Sequence, residues 1–332
     1  MKKKIVVIGG GTGTYTVVSG LKHYPVSLSV IVSMMDSGGS NRVIRDEFGL
    51  LPVSDLRQVM VALASDKADE VLRNLFTYRY TQGTGISGMT FGNLFMAALT
   101  DIYGSQKKAI EKTSEVLRVT GKIIPVTYDN VHLVAKYSNG REVLGEHYIE
   151  EPNIEVEDSK ISELSVFPKA QANLDAIVAI TDADLIILGP GDLYTSIICN
   201  LVIDGVSEAI KKSKAKKVFV VNLMTRRGQT DKLTASDHVG ILQKYLGGEV
   251  LDYCLVEKTE KYDPAVLARY ELEKAYPVVD NLVDSQKIRI KRRSLVSEKV
   301  FEREKGDNLA RSLIRHDSKK LAKAIMELLD IL

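Results

Sequence analysis

The sequence predicts an α/β protein: a mainly parallel sheet flanked by helices, with a small β-rich insertion midway along the chain. Three observations predict it. The chain opens on Lys4 to Ile8, where Ile5, Val6, Val7 and Ile8 are all apolar and β-branched; such an unbroken run marks a strand covered on both faces. A glycine turn, a helix from Tyr15 to His23 and a second strand within Val26 to Met35 follow, the length of one βαβ unit. After Pro168 the alternation of strand and helix resumes.

Between those two stretches the pattern changes in an ordered way. Ser54 is a good N-cap for a helix from Asp55 to Ser65, with Leu56, Val59, Met60 and Leu63 on one face. Helices are predicted over Glu70 to Tyr80, Phe91 to Tyr103 and Gln106 to Val119, with a Gly- and Thr-rich loop at Thr81 to Thr90. Strands follow at Lys122 to Thr127 and Val131 to Tyr137, an Asn139-Gly140 hairpin signal, and returning strands at Glu142 to Glu150 and Ile154 to Val166. This stretch, 122–168, reads as a β-rich insertion within a single domain spanning 1–332. Its acidic cluster Glu150, Glu151, Glu155, Glu157 and Asp158 reads as a solvated face.

Beyond it, Asn173 to Ile180 is helical, Leu185 to Leu188 is a buried strand, and a helix is expected to run on to about Ser213. Lys217 to Leu223 and Tyr253 to Val256 are strands, Thr234 to Leu246 and Pro264 to Lys274 helices, with short strands near 277–279 and 297–301. A helix capped by Asp307 closes the chain to Leu332, packing on its own domain.

The chain has 332 residues, 45% of them hydrophobic, ordinary for a globular protein. Its net charge of +2, from 45 basic and 43 acidic residues, gives no reason to expect nucleic acid or an acidic membrane as partner. Cys199 and Cys254 sit among apolar residues and read as buried thiols of a reducing, cytoplasmic compartment. The apolar run after Met1-Lys2-Lys3-Lys4 is too short for a signal peptide, and no stretch reaches membrane-spanning length. The histidines are scattered without zinc spacing, and His23 and His316 lie in polar, exposed-type settings. The sequence leaves a homo-oligomer open.

Ligands of open parallel sheets sit beyond the carboxyl ends of the strands. Four predicted strand ends carry polar, glycine-containing loops: Gly9-Gly10-Gly11-Thr12-Gly13-Thr14, Asp36-Ser37-Gly38-Gly39-Ser40-Asn41-Arg42, Gly189-Pro190-Gly191-Asp192-Leu193-Tyr194-Thr195-Ser196, and Met224 to Thr230. On one sheet edge they would surround a single cleft lined with amide hydrogens, suited to phosphate or nucleotide. The first loop departs from G-x-G-x-x-G, since Thr14 holds the third glycine position. Asp36 reads as a ribose acceptor, a metal ligand, a general base for phosphoryl transfer or a turn cap. Asp192 has the same ambiguity, and the two together would suit a shared Mg²⁺. Thr195 and Ser196 would cap a helix or bind an anion. Arg42, Arg45 and Arg57 are candidate phosphate contacts against a reading as surface charge; Arg226-Arg227 reads as surface charge.

Taken in order, these motifs resemble the YvcK/CofD-like family, the gluconeogenesis factors of bacteria. The likeness rests on Gly9 to Gly13, Asp36 to Ser40, Ser54-Asp55-Leu56-Arg57-Gln58, Phe91-Gly92-Asn93-Leu94, Gly189 to Asn200 and Asn222-Leu223-Met224-Thr225. Departures include Met89 where the family commonly has histidine, Val53-Ser54-Asp55 for Pro-Gly-Asp, Asn41 for Ser or Gly, and Arg226-Arg227-Gly228-Gln229-Thr230 for Gln-Pro-Gly-Glu-Thr. The resemblance implies a Rossmann-like sheet that binds a nucleotide ligand, with Asp55, Arg57, Asn93, Asn200, Asn222 and Thr225 joining the loops as site residues. In the YvcK branch, which the Tyr-Thr-Ser loop favours, it implies a UDP-sugar or NAD-type ligand and a regulatory role in carbon use and cell shape. In the CofD branch it implies transfer of 2-phospholactate from a nucleotide-activated donor.

Overall fold

The computed structural model describes the chain apart from residues 1, 66–69, 154, 157, 259–261, 286, 299–312 and 331–332. Strands β1 (Lys4–Ile8), β2 (Ser27–Val32) and β3 (Lys122–Pro125) form one half of a seven-stranded sheet. The antiparallel trio β4 (His132–Tyr137), β5 (Glu142–Leu144) and β6 (Ile161–Phe167) stands apart. Strands β7 (Leu185–Leu188), β8 (Lys216–Val220), β9 (Tyr253–Glu257) and β10 (Arg289–Arg293) complete the large sheet in the order β10-β9-β8-β7-β1-β2-β3, every pair parallel. The chain therefore walks outward from β1 to β3, returns to the other side of β1, and walks outward again. The reversal leaves a crevice between β1 and β7, the point at which such sheets take ligands.

Period-two alternation sends the two faces of each strand into different layers. Ile5 and Val7 join Val30, Ile187 and Val220 in a layer under α1 (Gly11–Leu21) and the later helices α3 (Ser54–Leu63) and α13 (Ser318–Asp330). Val6 and Ile8 join Ile31, Ile186, Leu188 and Phe219 in the opposite layer, which Leu133, Ala135 and Tyr137 of β4 help to cover. The small sheet is thus a lid over one face of the large one, and β3, the first strand of 122–168, belongs to the large sheet.

The remaining helices are α2 (Gly39–Phe48), α4 (Glu70–Thr77), α5 (Phe91–Tyr103), α6 (Gln106–Val116), α7 (Glu146–Glu150), α8 (Leu174–Thr181), α9 (Cys199–Leu201), α10 (Val206–Lys212), α11 (Ala235–Leu246) and α12 (Pro264–Leu272). Several start where the sequence signals them. Thr234 and Asp237 make a reciprocal capping box for α11, and Asp263 caps α12 ahead of Pro264. Helix α13 packs on α1 so closely that a Cβ on Gly20 would lie 2.1 Å from the Ser318 carbonyl oxygen.

Five expectations are corrected. Glu142 to Glu150 is not one strand: Gly145, at φ +103°, ends β5 and Glu146 opens α7. Ser54 does not cap α3 but is its first residue, its hydroxyl donating to Asn41 Oδ1 at 2.9 Å. The helix expected to reach Ser213 is broken at Gly205, φ +96°, into separate pieces. The strands near 277–279 and 297–301 are single bridges, Met224–Pro277 and Val296–His316, while the basic edge strand β10 carries no apolar alternation to announce it. The strand placed over Ile154 to Val166 is β6, Ile161–Phe167. Asp307 and residues 299–301 lie outside the described residues.

Candidate functional site

The loops after β1, β2, β7 and β8 open into one cleft of about 1630 Å³, lined among others by Gly10 to Gly13, Asp36, Gly38 to Asn41, Pro190 to Asp192, Thr195, Ser196 and Asn222 to Arg227. Its floor is helix ends. Helix α1 begins at Gly11 and α2 at Gly39, each at a positive-φ glycine, and α3 begins at Ser54. After β7 the chain enters a π-helical turn, Leu193–Ile198, in which the Ile197 amide bonds the Asp192 carbonyl at 3.1 Å before α9 continues. The first amides of a helix lack intrahelical acceptors and carry the positive end of its dipole, so this convergence suits an anion.

Close packing makes the glycines obligatory here. A Cβ on Gly13 would lie 2.1 Å from the Pro190 carbonyl oxygen, and one on Gly10 would lie 2.2 Å from Asp55 Oδ2. The loops after β1 and β7 therefore touch backbone to backbone. Asp55 sits beneath the first loop and accepts the Gly11 amide at 3.0 Å.

The rim is acidic. Asp36 accepts the Gly38 amide at 2.9 Å and the Asn41 side-chain amide. Helix α7 crosses from there to the other side. The Ser37 amide donates to Glu146 Oε2 at 3.4 Å, and the His147 amide donates to Ser37 Oγ at 3.0 Å. Thr195 Oγ1 donates to Glu150 Oε1 at 3.0 Å. The i, i+4 spacing puts Glu146 and Glu150 on one face, and side-chain hydrogen bonds link Glu146 to both Asp36 and Glu150. Burial first, then the neighbouring carboxylates, pushes Glu146 well above the usual carboxylate range. Burial also raises Asp36 and Glu150, and burial followed by the Asp36 charge lifts Asp55 to about 7. Arg226 answers this charge directly: it reaches Asp192 at 3.4 Å and Glu150 at 3.6 Å, and Asp192 above all holds it protonated.

Two side-chain expectations thus reverse. Glu150 is a half-buried wall of the cleft rather than a solvated face, and Arg226 is a half-buried bridge rather than surface charge. The sequence reading missed both, together with Glu146 and His147. The recoverable signal was Glu146-x-x-x-Glu150 after Gly145, which fits a helix face as well as a strand.

The family model for the 2-phospho-L-lactate transferase CofD matches residues 5–301. The chain belongs to the CofD family. Among family relatives, a "Gluconeogenesis factor" of Halalkalibacterium halodurans is 38% identical over 98% of this chain and 96% of its own length. A "Putative gluconeogenesis factor" of Aquifex aeolicus is 39% identical over 99% and 98%, and the "Gluconeogenesis factor" of Bacillus subtilis 35% over 99% and 98%. A crystal structure of a UPF0052 family protein from Bacillus halodurans superposes with a TM-score of 0.87 at 36% identity, covering 98% of this chain and 99% of that one. The Rossmann-like fold and the family resemblance read from the motifs are those found.

Within this CofD-family cleft the candidate residues divide. Gly10, Gly11, Thr12, Gly13, Asp36, Gly38, Gly39, Ser40, Asp55, Arg57, Pro190, Gly191, Asp192, Thr195, Ser196, Asn222 and Thr225 line it. Others support it from behind. Asn93, fully buried, donates to Ser40 Oγ at 3.0 Å and Ser54 Oγ at 3.2 Å and accepts from Arg57 Nε at 3.1 Å, tying α2, α3 and α5 together. Arg57 also donates to the Phe76 carbonyl at 3.1 Å. The Asn200 side chain donates to the Ser196 carbonyl at 2.8 Å, and Tyr194 Oη donates to the Ile161 carbonyl at 3.3 Å. Gly9 and Gly189 end their strands, while Arg42 pairs with Asp46 on the exposed side of α2 at 3.4 Å. Arg45 turns away to His132, 2.8 Å from its Nδ1. His316, read as exposed, is 8% exposed at one end of the cleft. Cys199 and Cys254 are buried free thiols. No helix among the described residues is long and apolar enough to cross a membrane.

Proposed function

We propose that the protein binds a nucleotide-sugar of the UDP-sugar type and acts as a regulator required for gluconeogenic carbon use and for cell shape. One observation carries the binding half of this reading: the loops that start helices on both sides of the β1–β7 crevice line the same cleft. The buried carboxylates alongside offer acceptors for sugar hydroxyls. The gluconeogenic role rests on the relatives named gluconeogenesis factors, and the role in cell shape on the family resemblance of the motifs. Titration calorimetry against UDP-N-acetylglucosamine, UDP-glucose and NAD tests it; binding by none of the three defeats it. Asp36→Ala and Thr195→Ala should each weaken binding, and wild-type affinity in both would move the site elsewhere.

The match to the transferase model favours a second reading, transfer of a phospho-acid from a nucleotide-activated donor. Metal-dependent consumption of the donor would select it. The Mg²⁺ suggested between Asp36 and Asp192 would need phosphate oxygens and water for the rest of its ligands. Asp192 faces Arg226 and Asp36 is held by Gly38 and Asn41, and no cluster of three or more Asp, Glu, His or Cys side chains among the described residues is arranged to hold a metal ion.

A further inference from the structure

A regulator needs a part that differs between its free and its occupied state, and α7 is placed to be that part. Of its five residues only Ile149 is fully buried. Among the described residues, its polar ties to other elements all go to loops of the cleft. At its N-terminal end the Ser37 amide donates to Glu146, and the His147 amide donates to the Ser37 hydroxyl. At its C-terminal end Glu150 accepts the Thr195 hydroxyl at 3.0 Å and lies 3.6 Å from Arg226. Thr195, Glu150 and Arg226 all line the cleft, and Thr195 belongs to the π-helical turn after β7. Arg226 is held from behind. Its amide donates to Thr230 Oγ1 at 2.8 Å, and a Cβ on Gly228 would lie 2.2 Å from Pro152, just past α7. Its pairs with Asp192 and Glu150, at 3.4 and 3.6 Å, are loose ones.

We infer that Glu150 is the cleft's internal stand-in for a ligand phosphate, and that its displacement on binding swings α7 and so reports occupancy. The inference rests on the anion-binding reading of the cleft and adds its regulation. A carboxylate and a phosphate accept from the same donors, here the Thr195 hydroxyl and the Arg226 guanidinium. A phosphate that takes both leaves Glu150 beside Asp192, Glu146 and Asp36 with neither donor. Burial, then the Asp192 charge, already raises the Glu150 carboxyl above its ordinary value. An ionised group stripped of its donors is destabilised further, and turning out to water relieves it. The chain allows the turn: Gly145, at φ +103°, is the hinge before the helix, and Ile149 beneath it is the pivot. A ligand shifts such an equilibrium only as far as it binds the two states differently. The two shared donors supply that difference.

The test uses pyrophosphate, which carries neither sugar nor base, and UDP, and reads amide hydrogen exchange with whichever binds. On the wild type, saturating probe should slow exchange at 11–13 and 195–197 and speed it at 149–151. The gain at 149–151 should be about fivefold or more, the protection that one hydrogen bond confers. Glu150→Gln should bind the probe about tenfold tighter, because the competing charge is gone. Glu151→Gln removes a neighbouring charge of the cleft that does not hold Thr195, and should change affinity by less than about threefold. Three results overturn the stand-in while the phosphate cradle remains: weaker binding by Glu150→Gln, an equal gain in Glu151→Gln, or unchanged exchange at 149–151 under bound probe. Binding of neither probe removes the anion reading and this inference with it.

Discussion

The floor of the cleft, where β1 and β7 end, is made of backbone, and its rim, where α7 crosses, is made of side chains. On the floor, Gly13 meets Pro190 with no room for a methyl group, and the electrostatics come from amides fixed by helix starts. On the rim, burial raises the carboxyl groups of Asp36, Glu146 and Glu150, and Arg226 reaches Glu150. The floor's field is therefore permanent, whereas the rim's charge changes with pH and with whatever binds. On the proposed reading, the first would receive an anionic ligand and the second would make its binding depend on pH.

The strongest way to break this contrast is at the floor. Gly13→Ala should destabilise the protein by about 3 kcal/mol or more, since the obstruction is backbone that cannot swing aside. Gly10→Ala should cost less, because Asp55, a side chain, can yield. Urea unfolding curves of the two variants measure the order, and its reversal would mean the loops are not in contact.

For the cleft's carboxyl groups, the sign is opposite. Burial pushes the Asp55 carboxyl up to about 7 from an ordinary 3.8, so between those pH values the folded state holds protons that the unfolded chain has released. Stability should fall as pH rises through that window, and Asp36, Glu146 and Glu150, shifted the same way, should steepen the fall. Asp55→Asn keeps an acceptor for the Gly11 amide. It should be more stable than wild type at pH 8 by roughly 2–4 kcal/mol and nearly equal at pH 4. Stability–pH profiles that run parallel would show that Asp55 is not held in its protonated form.

A smaller effect is expected at the bridge between floor and rim. Arg226→Gln leaves Asp192 and Glu150 facing each other; with these groups about a third exposed, the cost should be about 1–2 kcal/mol. Adding Glu150→Gln should recover most of it in a double-mutant cycle, and additive losses would count against a direct pair. The smallest effect belongs outside the cleft. Arg42→Ala, which removes only an exposed i, i+4 pair, should change stability by less than about 0.5 kcal/mol and leave ligand affinity unchanged. A large loss of affinity there would extend the ligand onto the outer face of α2.

Local residue order determined the backbone half of this protein. Four β-branched residues before a glycine run specify a buried strand and a tight helix start, and the parallel alternation obliges the later loops to emerge on the same edge. Tertiary structure alone decided the side-chain half. Glu150 and Arg226 are 76 positions apart and read as surface charge until α7 folds over the loop after β8. Asn93 and Arg57 carry motif positions, yet packing turns them into ties between α2, α3 and α5. His316 sits in a polar stretch and is buried only because its segment closes under α12. Burial depends on what the rest of the chain brings alongside, and with it go the pKa of a carboxyl group and the partner of an arginine, so no local pattern records them.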